Sequence, residues 1–373
     1  MIKIKSFFIK PKIEFGEDSL EFLKENVCGT IFIVTDKSMV SLKLVDKIIE
    51  ELPQGSKITI FDEVTPNPTT EIIEKGLKKM ILANPDFVIA LGGGSPIDAC
   101  KGMLYFEKKL KDKITIKNRY FIAIPTTSGT GSEVTSYSVI TEGNRKIALA
   151  NDEMLPDVAL LNPIFMKTLP QKIIADTGMD VFTHALEAYV SKVSNPFTNA
   201  LALESLKLLR NNLVSHYENA QELEFRKNVQ YASCLAGIAF NNSSLGINHS
   251  VAHTIGAKFH ISHGRANAII LPYIIEVNSN ANEKFNNLAK ELNLDVNYSK
   301  DGKTQLISYV QELKNIMKIE NSLSELNIDF QEFKDMIPQM IKEIKEDICT
   351  EFNPNILTEE EFVKLLLNIY FGK

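Results

Sequence analysis

Strands that alternate with helices through the amino-terminal part, a glycine-rich turn closing one of those strands, and helical periodicity that takes over after Pro163 predict an α/β plus all-α protein. A doubly wound amino-terminal domain over residues 1–175 is expected to precede an all-helical domain over 176–373, the boundary falling just before a helix that carries Asp180 and His184. A chain of 373 residues exceeds what one hydrophobic core usually supports, which agrees with two domains.

Taken in order, Thr30-Ile-Phe-Ile-Val-Thr-Asp36 is a β-branched run of the kind buried in parallel sheets, and an amphipathic helix follows it through Leu52. Lys57-Ile-Thr-Ile-Phe61 supplies a second strand. Pro66-Asn-Pro then breaks the chain and offers Thr69 or Thr70 as the cap of a helix running to about Ala83. Phe87-Val-Ile-Ala-Leu91 is a third strand, and Tyr120-Phe-Ile-Ala-Ile124 a later one.

The third strand runs directly into Gly92-Gly-Gly-Ser-Pro-Ile-Asp98 and a helix, which predicts a Rossmann-like turn. Glycines let the backbone approach a diphosphate, Pro96 suits a first helical turn, and the exposed N–H groups of a helix start attract anions. Gly93, Gly94, Ser95 and Asp98 are therefore candidate cofactor contacts, although the pattern is neither G-x-G-x-x-G nor a Walker loop. Asp36, at the end of the first strand, can accept hydrogen bonds from an adenosine ribose and repel a 2′-phosphate, favouring NAD over NADP. Its other reading is a helix cap for Lys37-Ser-Met-Val. Pro125-Thr-Thr-Ser-Gly-Thr-Gly-Ser-Glu-Val134 is denser in hydroxyls and glycine than a plain loop needs. Its Thr126, Thr127 and Thr130 are candidates to grip phosphate, ribose or the nicotinamide amide, with Lys146 facing the same region.

In the second half, Ala200–Leu213 carries a leucine face, while Tyr231–Phe240 and Ala266–Ile275 are apolar. Between them lies the densest chemistry of the chain. Gly246 to Gly264 holds four of the six histidines, His249, His253, His260 and His263. His249 and His253 share a helical face, as do Asp180 and His184. Helical arms bearing a carboxylate and several imidazoles suit iron, zinc, nickel, cobalt or manganese and exclude the all-oxygen preferences of calcium and magnesium. A nucleotide-type domain followed by a metal-bearing helical domain places an active site in the cleft between them.

Composition narrows the remaining classes. With 44% hydrophobic and 24% charged residues the chain is an ordinary globular one, and a net charge of −6 gives no footprint for nucleic acid. The scattered Cys28, Cys100, Cys234 and Cys349 read as free thiols of a reducing cytoplasm. Lysines interrupt the basic, apolar amino terminus before a secretory core forms, and no apolar run reaches membrane-spanning length. A cytoplasmic protein without membrane or nucleic-acid partners is expected.

The glycine turn, the Pro125–Thr135 segment, Thr177-Gly-Met-Asp-Val-Phe-Thr-His-Ala-Leu-Glu187 and Asn248-His-Ser-Val-Ala-His-Thr-Ile-Gly256 with His263-Gly264 stand together in an order that resembles the iron-containing alcohol dehydrogenase family, over nearly the whole chain. The resemblance implies a dehydroquinate-synthase-like fold and Asp180, His184, His249 and His263 as ligands of Fe2+, or of Zn2+ or another divalent transition metal. It also implies NAD(H) held by Asp36, Asn67, Gly93, Gly94, Ser95, Thr126, Thr127, Thr130 and Lys146. His253, with His260 second, is the candidate for relaying a proton, and Phe240 for lining the substrate pocket. The propanol dehydrogenase branch of propanediol and ethanolamine utilisation is similar, which implies a small primary alcohol or aldehyde as substrate, a homodimer or larger assembly, and a possible place in a bacterial microcompartment. Neighbouring readings are a zinc glycerol dehydrogenase and a dehydroquinate-synthase-type lyase, the latter needing a cationic cluster of which Arg265 is one member. Ser262 departs from the family's usual proline before the last ligand and puts the rigidity of that loop in question.

Overall fold

The computed structural model describes residues 6–110, 117–143, 145–295 and 301–373. The first five residues of the basic, apolar amino terminus lie outside them.

Six strands form one parallel sheet in the order β1-β8-β5-β4-β2-β3, built from β1 (Lys12–Phe15), β2 (Thr30–Val34), β3 (Lys57–Phe61), β4 (Phe87–Gly92), β5 (Tyr120–Pro125) and β8 (Val158–Leu161). Between β5 and β8 the antiparallel hairpin β6 (Tyr137–Glu142) and β7 (Arg145–Ala150) leaves the sheet. The alternation of β-branched residues explains why the strands read as continuous apolar runs. Phe32, Val34, Val88, Ala90, Phe121 and Ala123 pack on one face beneath α4 (Thr70–Ala83) and α5 (Gly94–Lys109). Ile31, Ile33, Ile89, Leu91, Ile122 and Ile124 pack on the other, where α1 (Glu21–Asn26) and α3 (Leu44–Glu51) close the core. A sheet buried on both sides tolerates no polar face, and each such Ile or Phe is worth roughly 1.5–3 kcal/mol of burial.

The amphipathic segment expected through Leu52 is two helices. Asp36 caps α2 (Lys37–Ser41), Lys43 adopts a left-handed conformation, and the chain turns so that Leu44, Val45 and Ile48 of α3 reach the core. The α2 segment fully buries no residue, and only Met39 packs against the core, so its end cap carries much of what holds it. Thr69 is the cap of α4, its hydroxyl accepting from Ile72 N.

The second compact unit begins at Leu169, and its first helix, α6 (Gln171–Val190), starts at Pro170. The division expected near residue 175 would fall inside this helix, because Pro170 and not the Asp180 arm sets where helical hydrogen bonding begins. Helices α7 (Pro196–Glu218), α8 (Leu223–Ser243), α9 (Ile247–Phe259), α10 (His263–Val277), α11 (Asn282–Glu291), α12 (Gly302–Ile316), α13 (Phe330–Glu346) and α14 (Glu359–Phe371) complete it. Capping boxes at Asn195/Thr198 and Thr358/Glu361 start α7 and α14. Among the described residues no helix is long and apolar enough to cross a membrane.

Candidate active site

In the helical unit, α6 packs against α7, α8 and α10, and α9 packs against α10. Three positions on one face of α6, Asp180, His184 and Glu187, are buried and point the same way, at the i, i+4, i+7 spacing of a single helical stripe. His249 comes from the first turn of α9 and His263 from the first residue of α10. One ligand atom from each of Asp180, His184, His249 and His263 lies within 4.8 Å of the other three. Asp180 Oδ1 is 3.9 Å from His249 Nε2 and 3.5 Å from His263 Nε2.

The tautomer of His249 follows from its partner. Its Nδ1 stands 2.5 Å from Glu187 Oε2, so Nδ1 carries the hydrogen and Nε2 presents its lone pair to the cluster. Glu187 Oε1 in turn accepts from Asn248 N at 2.7 Å, at the amino end of α9. Gly246 allows this approach, since a Cβ there would stand 2.8 Å from Glu187 Oε1. Asn267, one turn beyond His263, donates from Nδ2 to Asp180 Oδ1 at 2.7 Å and lies 3.1 Å and 3.2 Å from the Nε2 atoms of His249 and His263. Three acceptor atoms, Asp180 Oδ1 and the Nε2 atoms of His249 and His263, thus converge on one point. The His184 ring stacks on His249 and on Phe240, each at 4.6 Å.

Burial holds the Asp180 carboxyl up at about 7, with the nearby Asp176 and Glu187 carboxylates adding to the rise. Burial likewise lifts Glu187 to about 8 and pushes His249 well below the usual imidazole range. Burial thus disfavours the charged forms of Asp180, Glu187 and His249 alike, and a cation shared among them would relieve that cost for the carboxylates while the neutral imidazole keeps its lone pair. One carboxylate and three imidazoles with converging lone pairs fit a divalent transition metal.

His253 lies beside this cluster. Its ring stacks on His263 at 5.3 Å, and its Nδ1 is 2.8 Å from Asp347 Oδ2. Asp347 Oδ1 accepts from Ser250 Oγ and Cys349 N, so the carboxylate is fixed from two sides. His260 is elsewhere: it is exposed, in a left-handed conformation that ends α9, and serves the turn and not the cluster. Ser262 stands at the N-cap position of α10 without capping it by its side chain: its Oγ donates to Asp176 Oδ2 at 2.8 Å while Arg265 Nε pairs with Asp176 Oδ1 at 2.7 Å.

In the α/β unit, β2 and β4 are adjacent while the chain leaves them in opposite directions across the sheet. Their carboxyl ends form the switch point where open α/β sheets bind ligands. Asp36 and the Gly93-Gly94-Ser95 turn both stand there. Asp36 Oδ1 accepts from Ser38 N at 2.7 Å and Met39 N at 3.1 Å, so it is a helix cap, and Oδ2 is not used by that cap. The Pro125–Thr135 segment follows the adjoining strand, with Thr126 N donating to Gly92 O. Thr127 and Thr130 lie over the glycines: a Cβ on Gly93 would be 3.2 Å from Thr127 Oγ1, and one on Gly94 would be 2.8 Å from Thr130 Cγ2. Asn67, with positive φ, adjoins Pro68, whose carbonyl accepts from Thr141 N, and Thr141 is the register partner of Lys146. Burial lowers the Lys146 ammonium from its ordinary range. Asp98 differs from the other cofactor candidates, because both of its carboxylate oxygens are engaged by protein, Oδ1 by Ser132 Oγ at 2.5 Å and Oδ2 by Val139 N at 3.0 Å.

Glu187, Asn267 and Asp347 were not among the sequence candidates for the site. Glu187 continues the stripe of Asp180 and His184, so its register was a usable signal. Asp347 lies 94 residues from His253, and nothing local marks the pair.

Sequence comparison agrees with this geometry. Residues 10–163 match the family described as iron-containing alcohol dehydrogenase, and residues 174–370 match its carboxy-terminal domain. The chain belongs to the iron-containing alcohol dehydrogenase family, a family of oxidoreductases. It is 40% identical to an NADPH-dependent butanol dehydrogenase of Clostridium saccharobutylicum over 98% of both chains. It is 35% identical to the 1-propanol dehydrogenase PduQ of Citrobacter freundii, over 97% of this chain and 99% of that one. It also matches the aldehyde-alcohol dehydrogenase of Streptococcus pneumoniae, of which it spans 45%. A crystal structure of 1,3-propanediol oxidoreductase superposes with a TM-score of 0.91 at 30% identity, over 99% of this chain and all of that one.

Proposed function

We propose that the protein interconverts a small primary alcohol and its aldehyde by hydride exchange with NAD(H), using a divalent metal, iron first, held by Asp180, His184, His249 and His263. The convergence of those four donors within 4.8 Å carries this reading. A metal bound there supplies Lewis acidity to the substrate oxygen, while the nicotinamide supplies or takes the hydride. The residues do the rest. Glu187 holds the His249 tautomer, and Phe240, stacked on His184, offers an apolar wall suited to a short alkyl chain. His253, its Nδ1–H directed to Asp347, keeps Nε2 available to pass the hydroxyl proton outward.

Asp36 Oδ2 favours a ribose hydroxyl over a 2′-phosphate, which supports NAD as the cofactor. The lyase alternative is disfavoured because Arg265, its expected anion contact, is paired with both Asp176 and Glu320. A homodimer or larger assembly is part of the same reading. The test is anaerobic loading with ferrous ion and observation of NADH oxidation with propionaldehyde and its short homologues. Activity that requires the metal, and that Asp180→Ala abolishes together with metal content but not NADH binding, is expected. Full metal content in Asp180→Ala would reject the ligand assignment.

A further inference from the structure

Lys101 is fully buried in the interior of α5 and lies outside every role assigned above. Its ammonium, with three N–H donors, lies within hydrogen-bond distance of four oxygens: Thr135 O at 2.7 Å, Tyr137 O at 2.8 Å, Ser132 Oγ at 3.0 Å and Thr135 Oγ1 at 3.3 Å. All four belong to the segment that leaves the threonine loop and enters β6. Asp98, one turn earlier on the same helix, grips Ser132 Oγ and Val139 N, and its own carbonyl accepts from Ser138 Oγ at 2.8 Å. Glu133 is buried nearby, its carboxyl raised to about 7 by that burial, and when ionised it favours the ammonium.

A buried lysine is costly to a fold, since the charged form loses its hydration and apolar packing would serve stability as well. Burial does lower this ammonium to about 8, against the pull of Asp98 and Glu133. What an apolar residue cannot do is hold two backbone carbonyls of a loop at fixed positions. The same helix begins at Gly93-Gly94, and Thr127 and Thr130 rest on those two glycines. One end of α5 is thus the phosphate-facing turn, and its second turn is pinned to the far end of the threonine loop.

We propose that Lys101, with Asp98, is a positioning residue for the dinucleotide, a staple that fixes the Thr126–Thr135 loop over the glycine turn. The inference rests on the dinucleotide reading of these loops. Lys101 touches no cofactor atom; it acts through Thr127 and Thr130. Asp98, a direct-contact candidate on sequence grounds, takes the same indirect role, because its two oxygens are committed to Ser132 and Val139.

The test measures NADH affinity directly, by nucleotide fluorescence on the metal-loaded full chain, in wild type, Lys101→Met and Ser132→Ala. Lys101→Met preserves length and removes the charged donor. NADH Kd is expected to rise about tenfold or more, as loss of charge-assisted hydrogen bonds implies, and more modestly in Ser132→Ala. The KM for NADH should rise in parallel, with metal content and the aldehyde KM unchanged. Unaltered NADH Kd in both variants overturns the staple while leaving the dehydrogenase reading intact. Wild-type protein that binds no NADH overturns both. Should Lys101→Met not fold, Ser132→Ala decides alone: a raised NADH Kd at unchanged melting temperature supports the staple, and wild-type affinity overturns it.

Discussion

Gly264 offers the sharpest perturbation of the candidate metal site, because it is not itself a proposed ligand and yet lies between two of them, beside Asp180 and directly after His263. In the first turn of α10 it crosses α6 so closely that a Cβ would lie 2.1 Å from Asp176 O, 2.7 Å from its carbonyl carbon and 3.3 Å from Asp180 Cβ. A tolerable contact is at least 3.0 Å, so Gly264→Ala must open this crossing by about 0.9 Å. The obstructing atom is backbone inside a buried helix and cannot rotate aside. His263 precedes the substituted residue and moves with it, away from an Asp180 Oδ1 that is now 3.5 Å from its Nε2. Ligand distances tolerate only about 0.2 Å, so the displacement exceeds tolerance roughly fourfold. Overpacking alone should cost about 1–3 kcal/mol. Metal affinity should fall at least tenfold. Elemental analysis after anaerobic desalting measures the first consequence of this displacement, and the melting-temperature rise on adding metal measures the second, since that rise scales with occupancy. Gly264→Ala with full metal content and the wild-type metal-dependent rise would refute the argument that this crossing sets the site.

Glu187→Ala should weaken metal binding on the order of 10–100-fold by freeing the His249 tautomer, read by competition with a chelator; unchanged affinity would show that packing alone orients His249. Asp36→Gly should move the ratio of kcat/KM values for NAD and NADP toward NADP, and an unmoved ratio would leave Asp36 only its cap at α2. Asp347→Ala should reduce kcat by about tenfold or more with metal content intact, while Asp347→Asn, whose amide oxygen still accepts the Nδ1–H of His253, should lose less. Equal losses in the two variants would separate Asp347 from the orientation of His253.

The parts of the fold that could be read from sequence are those set by local pattern. The strands Thr30–Val34 and Phe87–Leu91 are apolar on both faces because the middle of the sheet is covered on both, and the turn chemistry at Gly92–Gly94 marks where β4 yields to α5. The break between α2 and α3 was not legible, since Lys43 in a left-handed conformation carries no glycine or asparagine to announce it. The converging histidines His184, His249 and His263 were legible because helical spacing and clustering are local properties. His260 belonged to the same cluster by sequence and not by structure: a residue that ends a helix points away from the face its neighbours share. Lys101 reads in sequence as an ordinary helical lysine, and only the return of the chain at Ser132–Tyr137, some thirty residues on, reveals why it is buried.

The serine at position 262, where the family resemblance implies proline, bears on how the site tolerates change. A proline would stiffen the entry to α10 through its ring. Here Asp176 does so from outside, accepting from Ser262 Oγ and pairing with Arg265, so that one carboxylate grips both flanks of His263. Asp176 lies one turn before Asp180 on α6, the helix that carries two of the four proposed ligands. Asp176 therefore ties α6 directly to the segment that carries His263. A ring at position 262 would stiffen the loop without coupling it to α6. The hydrogen-bonded arrangement trades intrinsic stiffness for registration between helices, and registration is the quantity that metal–ligand distances require.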